Sequence, residues 1–191
     1  MDIKILFGII AIITLFIGYI FYFKEIFSGK TKPHAFSWLI WAILTLIGFS
    51  VQFIEHAGPG AWASGLSGLI CIVIFFIALK KGEKNITSSD WVSLFAAAIS
   101  LFFWVITSNS LFTVLIITGI EFCGFFPTFR KSYDKPYEEN TTLYFMTGLA
   151  YLFTLFALEN YIFVTYFYPV ALVVLHWLFV AMLFLRRKQL E

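Results

Sequence analysis

The chain has 191 residues, of which 61% are hydrophobic, 21% aromatic and only 13% charged. A soluble domain is about half apolar and about a quarter charged, so these proportions exclude an ordinary soluble domain and point to an integral membrane protein. The net charge of +2 gives no reason to expect a nucleic-acid partner, because the basic residues follow a topological pattern.

Seven apolar runs follow in chain order, at 4–23, 35–54, 61–79, 91–106, 110–127, 142–158 and 163–185. Each approaches the ~20 residues needed to cross ~30 Å of hydrocarbon. The first run follows Lys4 as in a signal peptide, but it is long and ends in Gly18-Tyr19-Ile20-Phe21-Tyr22-Phe23 with no small-x-small cleavage site. It reads as a retained helix. Between the first and second runs stand Lys24, Lys30 and Lys32; between the third and fourth, Lys80, Lys81 and Lys84. Arg130, Lys131 and Lys135 separate the fifth from the sixth, and Arg186, Arg187 and Lys188 close the chain. The other side has Lys4 alone. Cytoplasmic loops collect Lys and Arg. The expected fold is therefore an all-α polytopic membrane protein of seven transmembrane helices, N-terminus out and C-terminus in.

The punctuation has local reasons. Pro33 and Pro136 stand near the starts of the second and sixth spans, where a missing amide hydrogen matters little. Glu138 and Glu139 precede the sixth, where a helix N-terminus favours negative charge. Ser88-Ser89-Asp90 reads as the cap of the fourth, and Gly58-Pro59-Gly60 as the turn between the second and third. Cys71 and Cys123 lie inside spans and read as small packing residues. The sequons at Asn85 and Asn140 fall on the cytoplasmic side, where no glycan is expected.

Setting Lys32-Pro33-His34 over Lys135-Pro136-Tyr137, an offset of 103 residues, brings spans 1, 2 and 3 over spans 5, 6 and 7. Glu55-His56 then falls near Glu159-Asn160, and Lys80-Lys81 near Arg186-Arg187. Span 4 has no partner. This reads as a first triple-helix repeat at 1–82, a linker helix at 83–108 and a second repeat at 109–191. Three spans reverse the chain's side, so the odd helix is what makes the two triplets parallel. Parallel repeats about an axis along the membrane normal are a transporter plan.

The stretch Pro127-Thr128-Phe129-Arg130-Lys131-Ser132-Tyr133-Asp134-Lys135-Pro136 and its counterpart Gly29-Lys30-Thr31-Lys32-Pro33 resemble the helix end and basic loop of a PQ-loop repeat. With the 3+1+3 layout, the chain resembles the PQ-loop/SWEET superfamily over about residues 5–187. That group includes SWEET and semiSWEET sugar transporters, lysosomal cystine and cationic amino acid transporters and, more distantly, nicotinamide riboside transporters and the KDEL receptor. The Pro-Gln pair itself is absent: Thr128 follows Pro127. The Asn that sugar carriers place in the third helix of each triplet is absent too, and span 7 offers His176. The resemblance implies two bundles rocking about a central site, with Pro127 as a hinge, and brings the first and third helices of a triplet together.

Ionisable side chains inside a bilayer are functional suspects. Glu121 lies nine residues before Arg130 and His176 ten before Arg186. At 1.5 Å per residue both are ~13–15 Å deep. They are expected as a proton-coupled, substrate-facing pair, or else as a structural polar pair between spans 5 and 7, with no contact between them as the third alternative. Thr45 and Tyr151 lie at similar depth and are candidate substrate contacts, unless Thr45 bonds its own helix backbone and Tyr151 packs. Gln52 suits a gate or an interface. Trp38 and Trp41 share a face at i, i+3 spacing; both suit interfacial anchoring, and Trp41 is also a candidate for substrate binding. Pro169 interrupts span 7 and carries no role from the resemblance.

No Lys lies in a membrane core, and no zinc, phosphate-loop or serine-nucleophile motif occurs. The expectation is a non-enzyme without cofactor or metal site: a uniporter or proton-coupled carrier of a small polar solute. Its partners are that solute and membrane lipids, with a homo-oligomer left open. The compact, tail-less chain suggests a bacterial inner membrane. A receptor of the same fold and a structural subunit of a membrane assembly remain alternatives.

Overall fold

In the computed structural model, residues 2–83, 87–107 and 109–190 are described. They contain seven α-helices and no strand. The helices are α1 Ile3–Ser28, α2 Ala35–Ile54, α3 Trp62–Lys81, α4 Ser88–Thr107, α5 Ser110–Asp134, α6 Thr141–Ala157 and α7 Phe163–Leu190. Short 3₁₀ turns at Gly58–Ala61 and Pro136–Glu138 lead towards α3 and α6.

The termini are set by local chemistry. Asp2 caps α1 by accepting from the Lys4 amide, and Gly29 ends it at φ 77°, a left-handed geometry that glycine adopts without a Cβ clash. His34 caps α2, its ring Nδ1 accepting from the Ser37 amide at 3.4 Å. Asn109 and Asn140 cap α5 and α6. One expectation changes here: the cap of α4 is Thr87 paired with Asp90, whose carboxylate accepts from the Thr87 amide at 2.7 Å and hydroxyl at 3.0 Å. Glu138 and Glu139 precede α6, and each is also engaged by a lysine. The Asn85 sequon residue and Lys84 lie outside the described residues.

Helices α2 and α6 begin 106 residues apart, at Ala35 and Thr141, against the 103 of the flanking prolines. The turn at Pro136–Glu138 takes up that difference.

Five segments are long and apolar enough to cross a membrane: α1, α2, Gly58–Lys81, α5 and α7. Helix α6 has 17 residues, ~26 Å at 1.5 Å each, and α4 has 20. Large apolar side chains point outward all along the helices, among them Phe16, Phe76, Phe95, Phe102 and Leu178. Soluble monomers rarely expose such a surface. These features are consistent with an integral membrane protein.

Six helices close a ring. Helix α1 packs on α6, α6 on α7, α7 on α5, α5 on α2, α2 on α3 and α3 on α1. Helix α4 lies outside, against α2 and α5. Close approaches set the ring: a Cβ on Gly18 would come within 2.9 Å of Met146 on α6, and one on Gly48 within 2.7 Å of the Tyr168 ring on α7.

The basic residues meet at one end. Lys32 reaches Glu138 at 3.2 Å, Lys135 reaches Glu83 at 3.4 Å, and Arg187 donates to the Pro136 and Glu139 carbonyls. At the other end Lys4 donates to the Glu159 carbonyl, and Asn160 donates to the Glu55 carbonyl at 2.9 Å.

Candidate functional site

The polar side chains of the ring helices converge on one enclosed cavity. Its walls are Tyr19 of α1; Trp38, Trp41 and Thr45 of α2; Ser67 and Cys71 of α3; Glu121 of α5; Leu143, Tyr144, Thr147 and Tyr151 of α6; and Leu172 and His176 of α7. Helical spacing explains two of these walls. Trp38, Trp41 and Thr45 stand at i, i+3 and i+7, as do Tyr144, Thr147 and Tyr151, so each set lines one face. Centres of water-sized spheres can occupy about 20 Å³ of the space, room for about one water. The site is closed in this conformation.

All five sequence-derived candidates for substrate contact, Glu121, His176, Thr45, Tyr151 and Trp41, line this cavity. Their pairing differs from expectation. Glu121 and His176 make no ion pair: the Tyr168 hydroxyl donates to Glu121 Oε2 at 2.9 Å, and His176 Nδ1 donates to the Leu172 carbonyl at 2.7 Å. A carbonyl oxygen can only accept, so Nδ1 carries the hydrogen. Thr45 donates to the Trp41 carbonyl at 2.6 Å, the backbone bond typical of a helical threonine. Trp41 Nε1 and the Tyr151 hydroxyl are buried, with no hydrogen-bond partner among the described residues. Trp38 and Trp41 are 3% and 6% exposed, so neither is an interfacial anchor. Gln52 is also internal and donates to the Thr165 carbonyl at 3.3 Å, joining α2 to α7. Cys71 lines the cavity, whereas Cys123 is exposed on the outer face of α5. Pro127 and Pro169 are both buried inside their helices.

Sequence reasoning missed Tyr168, Tyr19, Ser67, Tyr144 and Thr147. The Tyr19 and Ser67 hydroxyls share a hydrogen bond of 2.9 Å between α1 and α3. The i, i+3, i+7 spacing was the available signal on α6; nothing local marks Tyr168.

Towards the basic end the cavity is sealed by aromatic rings. Trp38 and Trp41 stand 5.1 Å apart, Trp41 and Phe125 4.9 Å, and Tyr144 and Phe179 4.3 Å. Beyond them lies a buried charge cluster. Lys131 reaches Glu139 at 2.7 Å, with side chains 5% and 1% exposed, and also donates to the Lys32 carbonyl. Asp90 of α4 faces His34 Nε2 at 3.4 Å and Arg130 Nη2 at 3.5 Å. Burial pushes the His34 pKa below its ordinary value, and Asp90 opposes that in part. The cluster ties the ends of α2, α4, α5 and α6 together. No metal-holding group of three or more His, Cys, Asp or Glu occurs among the described residues.

Comparisons with family models, with curated proteins and with solved structures return no match.

Proposed function

We propose that this chain is a small-molecule transporter of a bacterial inner membrane, with seven spans, N-terminus out and C-terminus in. It carries a small polar solute, as a uniporter or with protons, by rocking one triple-helix bundle against another. The observation that carries this reading is the central cavity, lined by every helix of the ring and by none of α4. Polar groups without partners, buried at mid-helix, are what a solute site requires.

The packing order supports the two-bundle reading. Exchanging α1, α2 and α3 with α5, α6 and α7 carries the α1–α6 contact into α5–α2 and the α1–α3 contact into α5–α7. It also carries α2–α3 into α6–α7. The cavity lies between the two sets. Aromatic rings and the Lys131–Glu139 and Asp90 clusters close its basic end, and opening there requires α2 and α5 to part. Pro127, buried in α5 six residues beyond Glu121, leaves one backbone hydrogen bond unmade where such a helix would bend. The resemblance to PQ-loop/SWEET carriers agrees with this layout. Fold alone does not establish function.

Cys71 supplies the test without knowledge of the solute. In a Cys123→Ser chain reconstituted into vesicles, a charged, membrane-impermeant methanethiosulfonate is added from one side at a time. Alternating access predicts labelling of Cys71 from both sides. Labelling from one side only would replace the transporter with a receptor. Labelling from neither side would leave a structural subunit.

A further inference from the structure

The charge inventory of the cavity narrows its ligand. Among its wall residues stand one carboxyl, Glu121, one imidazole, His176, and no lysine or arginine. An anionic solute would enter a low-dielectric space with no positive partner, which is strongly unfavourable.

The hydrogen-bonding atoms left over are more specific. Tyr168 occupies Glu121 Oε2, and no described residue donates to Oε1. In the neutral imidazole, His176 spends its N–H on Leu172, which leaves Nε2 as an acceptor. Two residues with an unused acceptor thus line the space from α5 and α7. Around them stand the rings of Trp38, Trp41, Tyr144 and Tyr151. Aromatic faces attract cations, and a buried carboxylate is tolerated beside a positive charge.

We infer that the cavity, in a conformation more open than this one, takes a small protonated amine, its N–H groups shared between Glu121 Oε1 and His176 Nε2 and its carbon frame against Trp41 and Tyr144. Glu121 supplies charge selection, His176 the second acceptor, and Trp41 the ring face. This inference rests on the cavity being a solute site, the premise of the transporter reading, and it adds the solute's charge and hydrogen-bonding class.

The test uses four probes that share one phenyl ring: benzylammonium, benzyl alcohol and benzoate, which are close in size, and the bulkier benzyltrimethylammonium. Each is titrated at constant ionic strength against the thermal unfolding of the detergent-purified full-length chain. A solute that binds only the folded state raises the transition by mass action. Benzylammonium should bind about tenfold or more tighter than benzyl alcohol, the margin of one charged hydrogen bond. Benzoate should give no shift. Benzyltrimethylammonium keeps the charge without N–H groups and should fall between the two. In Glu121→Gln the preference for the amine over the alcohol should vanish.

The wild-type series decides the matter even if that variant fails to fold. Equal binding of alcohol and amine, tighter binding of benzoate, or no shift from any ammonium probe overturns the inference. Labelling of Cys71 from both sides would leave the transporter standing in each of those cases. Amine binding with one-sided labelling would keep the amine site and remove transport.

Discussion

Replacing Lys131 with methionine tests the charge cluster at the basic end. Methionine keeps most of the side-chain stem and removes only the ammonium. The Lys131–Glu139 pair is 5% and 1% exposed at 2.7 Å, so Glu139 would be left as a buried carboxylate without its cation. The Lys32 and Glu138 carbonyls would also lose a donor. Breaking a buried pair from one side costs about 3–5 kcal/mol. The Lys32–Glu138 pair is a built-in control: at 3.2 Å it is nearly as close, but its side chains are 46% and 28% exposed. Exposed pairs contribute about 0–1 kcal/mol, so Lys32→Met should fall in that range. The assay is reversible unfolding in mixed detergent micelles, with the free energy read for each variant. The double variant Lys131→Met with Glu139→Leu should recover more than half of the single variant's loss, since both charges are then gone. Equal losses from Lys131→Met and Lys32→Met would refute the reasoning, as would a double variant no better than the single one.

Four further outcomes follow from particular contacts. Asp90→Asn weakens the hold of α4 on His34 and Arg130 and should speed Cys71 labelling from the basic end several-fold; an unchanged rate would remove Asp90 from the seal. Pro127→Ala restores a helical amide to α5 and should slow exchange between the two accessible states, read as slower Cys71 labelling from one side; full speed would rule out the hinge. Because burial lowers the His34 pKa, the unfolded chain takes up the proton first as pH falls below about 6.5. Stability should therefore fall on acidification through that window, more in wild type than in His34→Gln, and parallel pH curves would refute this. Gly48→Ala would place a Cβ 2.7 Å from the Tyr168 ring, displacing the hydroxyl that holds Glu121; about 1–3 kcal/mol of stability should be lost by overpacking, with weaker benzylammonium binding, and a neutral result would mean that Tyr168 moves freely.

Depth along a helix was legible in the sequence. Counting 1.5 Å per residue from the basic boundary put Glu121, His176, Thr45 and Tyr151 at one level, and all four stand around one cavity. Direction around a helix was less so. Trp38 and Trp41 fit an interfacial anchor as well as a cavity wall by sequence, and only their neighbours, Tyr19 and Tyr22 of α1 for Trp38 and Phe125 and Tyr144 of α5 and α6 for Trp41, distinguish the two. Partnership was not legible at all. Glu121 and His176 were matched because they were the two deep ionisable groups, yet Glu121 bonds Tyr168 and His176 bonds its own helix. A tyrosine amid phenylalanines in α7 carries no mark of that role.

Composition and the spacing of charges determined the all-helical architecture, the apolar segments and the gathering of Lys and Arg on alternate loops, because each follows from the near neighbours of a residue and from the solvent it meets. The tertiary structure alone decided the closed ring, the place of α4 outside it, and the contacts between distant residues such as Tyr19 with Ser67, Asp90 with His34 and Lys131 with Glu139. Those contacts depend on how helices rotate and pack against one another. Seven similar apolar helices leave many arrangements open until small residues such as Gly18 and Gly48 select the close ones.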